Sequence, residues 1–269
     1  MNILYLNPIS YAGYNQAFAN SLKNYKYGTT HLDVASLQVT KDLPETLNEL
    51  GYRVYESLII NPTTQVARLG SLATVPKRYD AMVIGCFYDP ALIESRTISG
   101  NMHVIGPCQA SCQIAANLGN TFSIIIGMDY WEDQMRNTVY DYGYKEQLIS
   151  FENINIPASQ LPVNPNKTLN AIVQAASNAV QKGAEVIILG CTLETGTYLQ
   201  VEEYLEAALK KRIPVIDPSI AALKAAEHMA MNSFWNLSRV HGMEAPSEED
   251  LAKYQIFQTA YKLANIVSV

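Results

Sequence analysis

The chain has 269 residues, 48% of them hydrophobic and 16% charged, with a formal net charge of −6. That length and apolar content build one large or two medium domains with a full core, which excludes a disordered chain. A negative balance with no basic run excludes a nucleic-acid surface, and no uncharged apolar run is long enough to span a membrane.

Met1 to Pro8 lacks the positive leader of a secretory signal and reads as a first strand, Ile3 to Leu6. Asn7-Pro8-Ile9-Ser10 makes a loop, with Ser10 helping to cap a predicted helix from about Gly13 to Asn24. Leu32 to Leu37 and Val54 to Ile60 are predicted strands. A helical turn is expected near Glu45 to Leu50, and a polar loop at Asn61-Pro62-Thr63-Thr64. Ala81 to Ile84 is a predicted strand, and Asp89-Pro90 is expected to open a short helix, since proline suits a first helical turn. Next come a strand at Val104-Ile105, a helix over Gln109 to Leu118, a strand over Phe122 to Ile126 and a helix near Glu132 to Tyr142. A strand over Leu148 to Ile154 leads into a loop from Ile156 to Asn166. The helix predicted over Leu169 to Lys182 stops at Gly183. Strands at Val186 to Leu189 and Val215-Ile216 then flank a helix near Val201 to Lys211, and Ser219 to Met229 reads as helix. Pro246-Ser247-Glu248-Glu249 has the form of a helix start and predicts a last helix to about Ala264. Alternating strands and helices predict an α/β fold with parallel sheets.

Two of these units share a design. Asp80-Ala81-Met82-Val83-Ile84-Gly85-Cys86 and Glu185-Val186-Ile187-Ile188-Leu189-Gly190-Cys191 each read as an acid, a buried apolar run, then Gly-Cys. Val104-Ile105-Gly106-Pro107 and Val215-Ile216-Asp217-Pro218 repeat in the same way ahead of Ala-rich helices, which fits an old duplication. Each cysteine falls just past the carboxyl end of its strand, where open α/β sheets bind ligands. Each also precedes an expected helix start, whose N–H groups lower a thiol pKa and hold an anionic substrate oxygen. Two thiols facing one small molecule suit the transfer of a proton from one face of a carbon to the other, one as thiolate base and one as thiol acid.

Ile84-Gly85-Cys86-Phe87-Tyr88-Asp89-Pro90-Ala91-Leu92 resembles the first cysteine motif of hydantoin and allantoin racemases. Leu6-Asn7-Pro8-Ile9-Ser10 is similar to their Asn-Pro-Asn-Thr/Ser loop, and Leu189-Gly190-Cys191-Thr192 to the second cysteine motif of the aspartate/glutamate racemase superfamily. The stretch from Ile213 to Glu227 resembles that superfamily too, so the likeness covers residues 1 to about 230. It implies two similar parallel-sheet α/β domains related by pseudo-twofold symmetry, with the active site in the cleft between them. The domains would be 1–104 plus 219–269, with the C-terminal helices, and 105–218. It implies a racemase or epimerase of the cytoplasm that needs no cofactor or metal, with Cys86 and Cys191 as the acid/base pair. Asn7, Ile9, Ser10, Phe87, Thr192 and Leu193 would meet a small substrate, a carboxylate or a cyclic ureide.

The chain departs from the pattern in places. Tyr88 stands where hydantoin racemases usually have Gly, Ile9 replaces the second Asn, and Gly127-Met128-Asp129 replaces a Thr-Thr. After Cys191 comes Thr192-Leu193-Glu194, with the acid one place later than in aspartate racemases, and the tail beyond about 235 is longer than usual. The first motif favours ureides, while Thr192 pulls toward acidic amino acids. A maleate-type isomerase or a decarboxylase of the same fold is the alternative enzyme, and a binding protein without turnover the alternative class.

Other residues carry less. Cys108 and Cys112 share a helical face and are expected in the core. The four histidines show no metal-ligand spacing, no Gly-x-Gly-x-x-Gly occurs, and no lysine stands out for pyridoxal phosphate. Arg68 reads as a solvated surface residue, and Tyr11 and Tyr14 follow the Asn-Pro loop. A homo-oligomer stays open.

Overall fold

The computed structural model describes residues 1–8, 12–38, 60, 63–67, 79–232, 247–255 and 262–269. Ile9, Ser10, Tyr11 and Arg68, the helical turn near Glu45 to Leu50 and all but the last residue of the strand predicted at 54–60 lie outside them. The described residues form two compact units. Met1–Gly85, Asp89–Gly106 and Leu223–Val269 make the first; Cys86–Tyr88 and Pro107–Ala222 make the second.

The first unit carries β1 (Asn2–Asn7), β2 (His31–Gln38), β3 (Ala81–Ile84) and β4 (His103–Ile105), parallel and in the order β4-β3-β1-β2. The second carries β5 (Phe122–Ile126), β6 (Leu148–Asn153), β7 (Val186–Leu189) and β8 (Val215–Ile216), parallel and in the order β6-β5-β7-β8. Counted along the chain, both sheets have the order second, first, third, fourth. The apolar runs explain why these segments are strands. Ile3 to Leu6, Ala81 to Ile84 and Ile187 to Leu189 are wholly buried. Each buried Val, Leu or Ile contributes about 1.5–3 kcal/mol, which a strand covered on both faces collects from every residue.

Helices follow the strands: α1 (Asn15–Leu22), α2 (Leu92–Ile98), α3 (Pro107–Leu118), α4 (Glu132–Asp141), α5 (Pro165–Gln181), α6 (Tyr198–Leu209) and α7 (Pro218–Met231). α5 starts earlier than the sequence suggests. The Asn164 side chain accepts a hydrogen bond from the Lys167 N–H at 3.1 Å, and Pro165 occupies the first turn. Its buried residues Thr168, Ile172, Ala175, Ala176 and Ala179 follow the 3.6 period, and Gly183 at φ +104° ends the run.

Three expectations are corrected. Thr63 and Thr64, expected in a polar loop, lie in a helical stretch over 63–67. Asp89-Pro90 does not open a helix: Asp89 (φ +51°) and Ala91 (φ +59°) are left-handed, and α2 begins at Leu92. A Cβ on Gly106 would lie 2.7 Å from an oxygen of the Asp89 carboxyl, so Gly106 gives that carboxyl its room. The tail is not one long helix. α8 (Glu248–Lys253) starts as expected, with the Ser247 hydroxyl accepting from the Asp250 N–H at 3.1 Å. Lys262–Ser268 then form β9, antiparallel on the outer edge of β2. Leu263, Ile266 and Val267 suit a strand, and the open ladder of β2 outweighs local helix propensity. A register shift between Val34 and Ser36 bends the pair, and Asn265 sits at φ +51°.

A stability prediction arises at the second Gly-Cys. A Cβ on Gly190 would strike the Ile125 carbonyl and lie 2.9 Å from the Ile124 side chain. Gly190→Ala is expected to cost about 3 kcal/mol, the upper range for overpacking against backbone. Gly28→Ala, which meets nothing within 4 Å, should stay within about 0.5 kcal/mol of wild type. Urea midpoints compare them, and equal midpoints would overturn the assignment.

Candidate active site

Each candidate cysteine is the second residue beyond a buried strand, separated from it by one glycine. The Gly85 N–H donates to the Leu6 carbonyl and the Gly190 N–H to the Ile125 carbonyl, both at 2.7 Å. Leu6 pairs with Ile84 on β3, and Ile125 with Leu189 on β7. Cys86 and Cys191 therefore hold the same register position in two sheets of the same strand order. In each sheet the chain leaves the first strand toward one edge and the third toward the other, which is where such sheets take ligands.

Both cysteines are half-buried and both fall in the second unit. Burial pushes the Cys191 thiol well above its usual value; Glu194 adds to the rise, a Leu193 backbone N–H opposes it, and Cys86 raises it further. The expected lowering by a helix N-terminus is thus corrected at Cys191. The residues after it form a single 3-10 turn, Thr192–Glu194, and α6 begins only at Tyr198.

Glu194 is 1% exposed. Among the described residues neither of its carboxyl oxygens has a hydrogen-bond partner of full geometry. Burial, reinforced by the charge of Asp217, pushes its carboxyl up to about 8, against the pull of the Cys191 N–H. Asp217 differs. It is raised by burial too, but accepts from the Gly196 N–H at 2.7 Å, the Ser219 N–H at 2.9 Å, the Ile220 N–H at 3.2 Å and the Thr195 hydroxyl at 2.9 Å. The sequence singles out Glu194 by its spacing from Cys191 but carries no sign that its carboxyl lacks donors of full geometry.

The other expected site residues are spread unevenly. Thr192 is buried, and Leu193 packs with Cys191 against the core cluster that includes Ile125, Ile187 and Leu189. Phe87 is buried, which leaves its side chain in the interior. Tyr88 meets Trp131 edge-on at 5.3 Å, and Trp131 is flanked by Tyr130 at 4.8 Å. Asn7 is buried in the first unit. Its Nδ2 donates to the Asn15 Oδ1 at 3.4 Å, while Asn15 donates to the Asn265 carbonyl at 3.0 Å, so β9 secures its mount. Cys108 and Cys112 are fully buried in α3, as expected.

Two parallel sheets of one strand order, each with Gly-Cys directly after its third strand, define an α/β class. A family profile described as Asp/Glu/Hydantoin racemase matches residues 52–226, and the chain belongs to that family, the racemases among isomerases. It is 27% identical to a hydantoin racemase of Rhizobium meliloti over 257 residues, covering 95% of this chain and 99% of the relative. The allantoin racemase of Klebsiella pneumoniae shares the fold, with a TM-score of 0.77, 20% identity and coverage of 92% of this chain and 94% of that one. So does the allantoin racemase of Pseudomonas fluorescens, with a TM-score of 0.77, 19% identity and coverage of 92% and 99%.

Proposed function

We propose that the protein is a cofactor-independent racemase or epimerase that inverts an acidic carbon next to a carbonyl, using Cys86 and Cys191 as its acid/base pair. The observation that carries this reading is the matched placement of the two Gly-Cys ends, each held by a glycine N–H on the carbonyl of the neighbouring strand. Burial favours the thiol form of Cys191, so it enters as the acid and Cys86 as the thiolate base. The C–H bond breaks as the Cys86 S–H forms, and the electron pair moves onto the carbonyl oxygen as an enolate. The Cys191 S–H then breaks as carbon gains a proton on its other face. The reverse reaction starts from the resulting Cys86 thiol and Cys191 thiolate.

Cyclic ureides of the hydantoin and allantoin type are the first substrate class and acidic amino acids the second. The relative from Rhizobium meliloti, matched over nearly the whole chain, supports the ureides. In this reading Asn7, Ile9, Ser10, Thr192 and Leu193 lie around the substrate and Phe87 contributes its backbone. The domains are 1–104 with 219–269, and 105–218, the enzyme works in the cytoplasm, and it needs no metal.

The test is incubation in deuterated water with hydantoins, allantoin, aspartate and glutamate, with and without EDTA, followed by proton NMR at the α-carbon. Exchange and loss of optical rotation are expected with a ureide, unchanged by EDTA. Silence across the panel would replace the reading with that of a binding protein.

A further inference from the structure

Glu194 and Asp217 are buried carboxyls that interact, yet their surroundings differ sharply. Asp217 collects three backbone N–H groups and a hydroxyl, donors that stabilise a carboxylate. Glu194 has no such set, and a carboxylate buried without donors or a cation is costly enough that the group keeps its proton. When two carboxyls meet, the one richer in donors holds the charge and the other the proton. The 3-10 turn closes on Cys191: the Glu194 N–H donates to the Cys191 carbonyl at 3.1 Å, which ties the carboxyl-bearing residue to the thiol-bearing one.

We propose that Glu194 is a positioning residue, held as the neutral acid beside Cys191, whose proton must stay in place for Cys191 to reach its thiolate state. This rests on the reading of Cys191 as an acid/base group. Among the described residues the titratable groups acting on this pair are Asp217 on Glu194, and Glu194 and Cys86 on Cys191. Each of these interactions disfavours negative charge. A proton on Glu194 removes its charge from the vicinity of Cys191, so the thiolate forms at lower cost. Loss of that proton places a second negative charge beside the sulfur, and the thiolate retreats. One buried ionisation thus sets the alkaline limit for the second base. It also makes the two half-reactions unequal, because only the direction that starts from the Cys191 thiolate feels Glu194 in its ground state.

Alkylation of Cys191 by iodoacetamide tests this without any substrate. The Cys86→Ser protein removes the competing thiol, and Cys108 and Cys112 are buried. Cys191 is followed by peptide mass spectrometry from pH 7 to 10, with and without a second change, Glu194→Gln. A Gln stays neutral, so the double variant is expected to alkylate about tenfold faster near pH 9, the equivalent of one pKa unit at the thiol. Glu194→Met, also uncharged, is expected to do the same, which covers a Gln variant that fails to fold. Superimposable curves for Glu, Gln and Met would overturn the proposal. With a substrate in hand, racemisation by the otherwise wild-type protein is expected to fall above about pH 8, where Glu194 ionises. The Gln variant should keep its rate there, a change in pH profile that a merely structural role does not produce. If no substrate turns over, the alkylation curves still decide the matter for Glu194, and only the racemase reading fails.

Discussion

Cys86→Ser and Cys191→Ser are each expected to lose racemisation by about a thousandfold or more, within the range that a positioned acid or base supplies. A serine hydroxyl is far too weak an acid to ionise near neutral pH, so it supplies no base and is a much poorer proton donor than a thiol. The two losses should differ in kind. With Cys191 intact, one enantiomer still meets a base and takes up solvent deuterium without inverting. With Cys86 intact, the other enantiomer does so. Solvent exchange measured on each pure enantiomer separates the variants, and the pattern should be mirrored between them. Full racemisation in either variant would remove the two-thiol mechanism. Exchange of the same enantiomer by both would assign the faces wrongly. Both cysteines are half-buried and lie beyond the ladders of β3 and β7, past the glycine whose N–H makes the last bond to the neighbouring strand, so the exchange of sulfur for oxygen leaves the ladder intact.

The second large effect is on stability. The Glu194 carboxyl is raised from an ordinary value of 4.5 to about 8 by burial and by Asp217. Below about pH 4.5 the folded and unfolded chains both carry its proton, and Glu194 makes no difference between them. Between about 4.5 and 8 the unfolded chain has released the proton and the folded one still binds it, so stability falls as pH rises. Above about 8 the loss is complete, roughly 4 to 5 kcal/mol for a displacement of that size. Glu194→Gln abolishes this slope. Urea unfolding at pH 5 and pH 8 is expected to show the variant gaining on wild type by several kcal/mol across the interval. The slope is the informative quantity, because a buried amide without partners has its own constant cost. Asp217 contributes equally to both proteins, and going no higher than pH 8 limits thiol ionisation in the unfolded chain. Parallel pH profiles would show that Glu194 ionises freely in the folded state.

The parts of the fold legible in the sequence are those in which local pattern and tertiary demand agree. Apolar runs such as Val186 to Leu189 ending in Gly190 are strands in any context that buries both faces, and Gly183 stops its helix by backbone geometry alone. The same logic places Cys86 and Cys191 at strand ends. Where several conformations suit a segment, the sequence misleads. The sequence predicts a last helix to about Ala264, yet Lys262 to Ser268 form β9 because the edge of β2 takes them as an antiparallel partner. Asp89-Pro90 looks like a helix start, yet the Asp89 carboxyl is committed beside Gly106 and the backbone turns left-handed. Phe87 flanks a candidate catalytic residue but lies in the interior.

Composition, periodicity and two copies of Gly-Cys were enough to determine an α/β chain with paired thiols at the ends of its central strands, because strand, turn and ligand end are all encoded within about ten consecutive residues. Only the tertiary structure decided which buried carboxyl is met by donors. Donors reach Asp217 from Thr195 and Gly196, more than twenty positions earlier in the chain, and from the first turn of α7, while none of comparable quality reaches Glu194. Protonation in a low-dielectric interior follows the distribution of such donors in space, and a linear sequence does not contain that distribution.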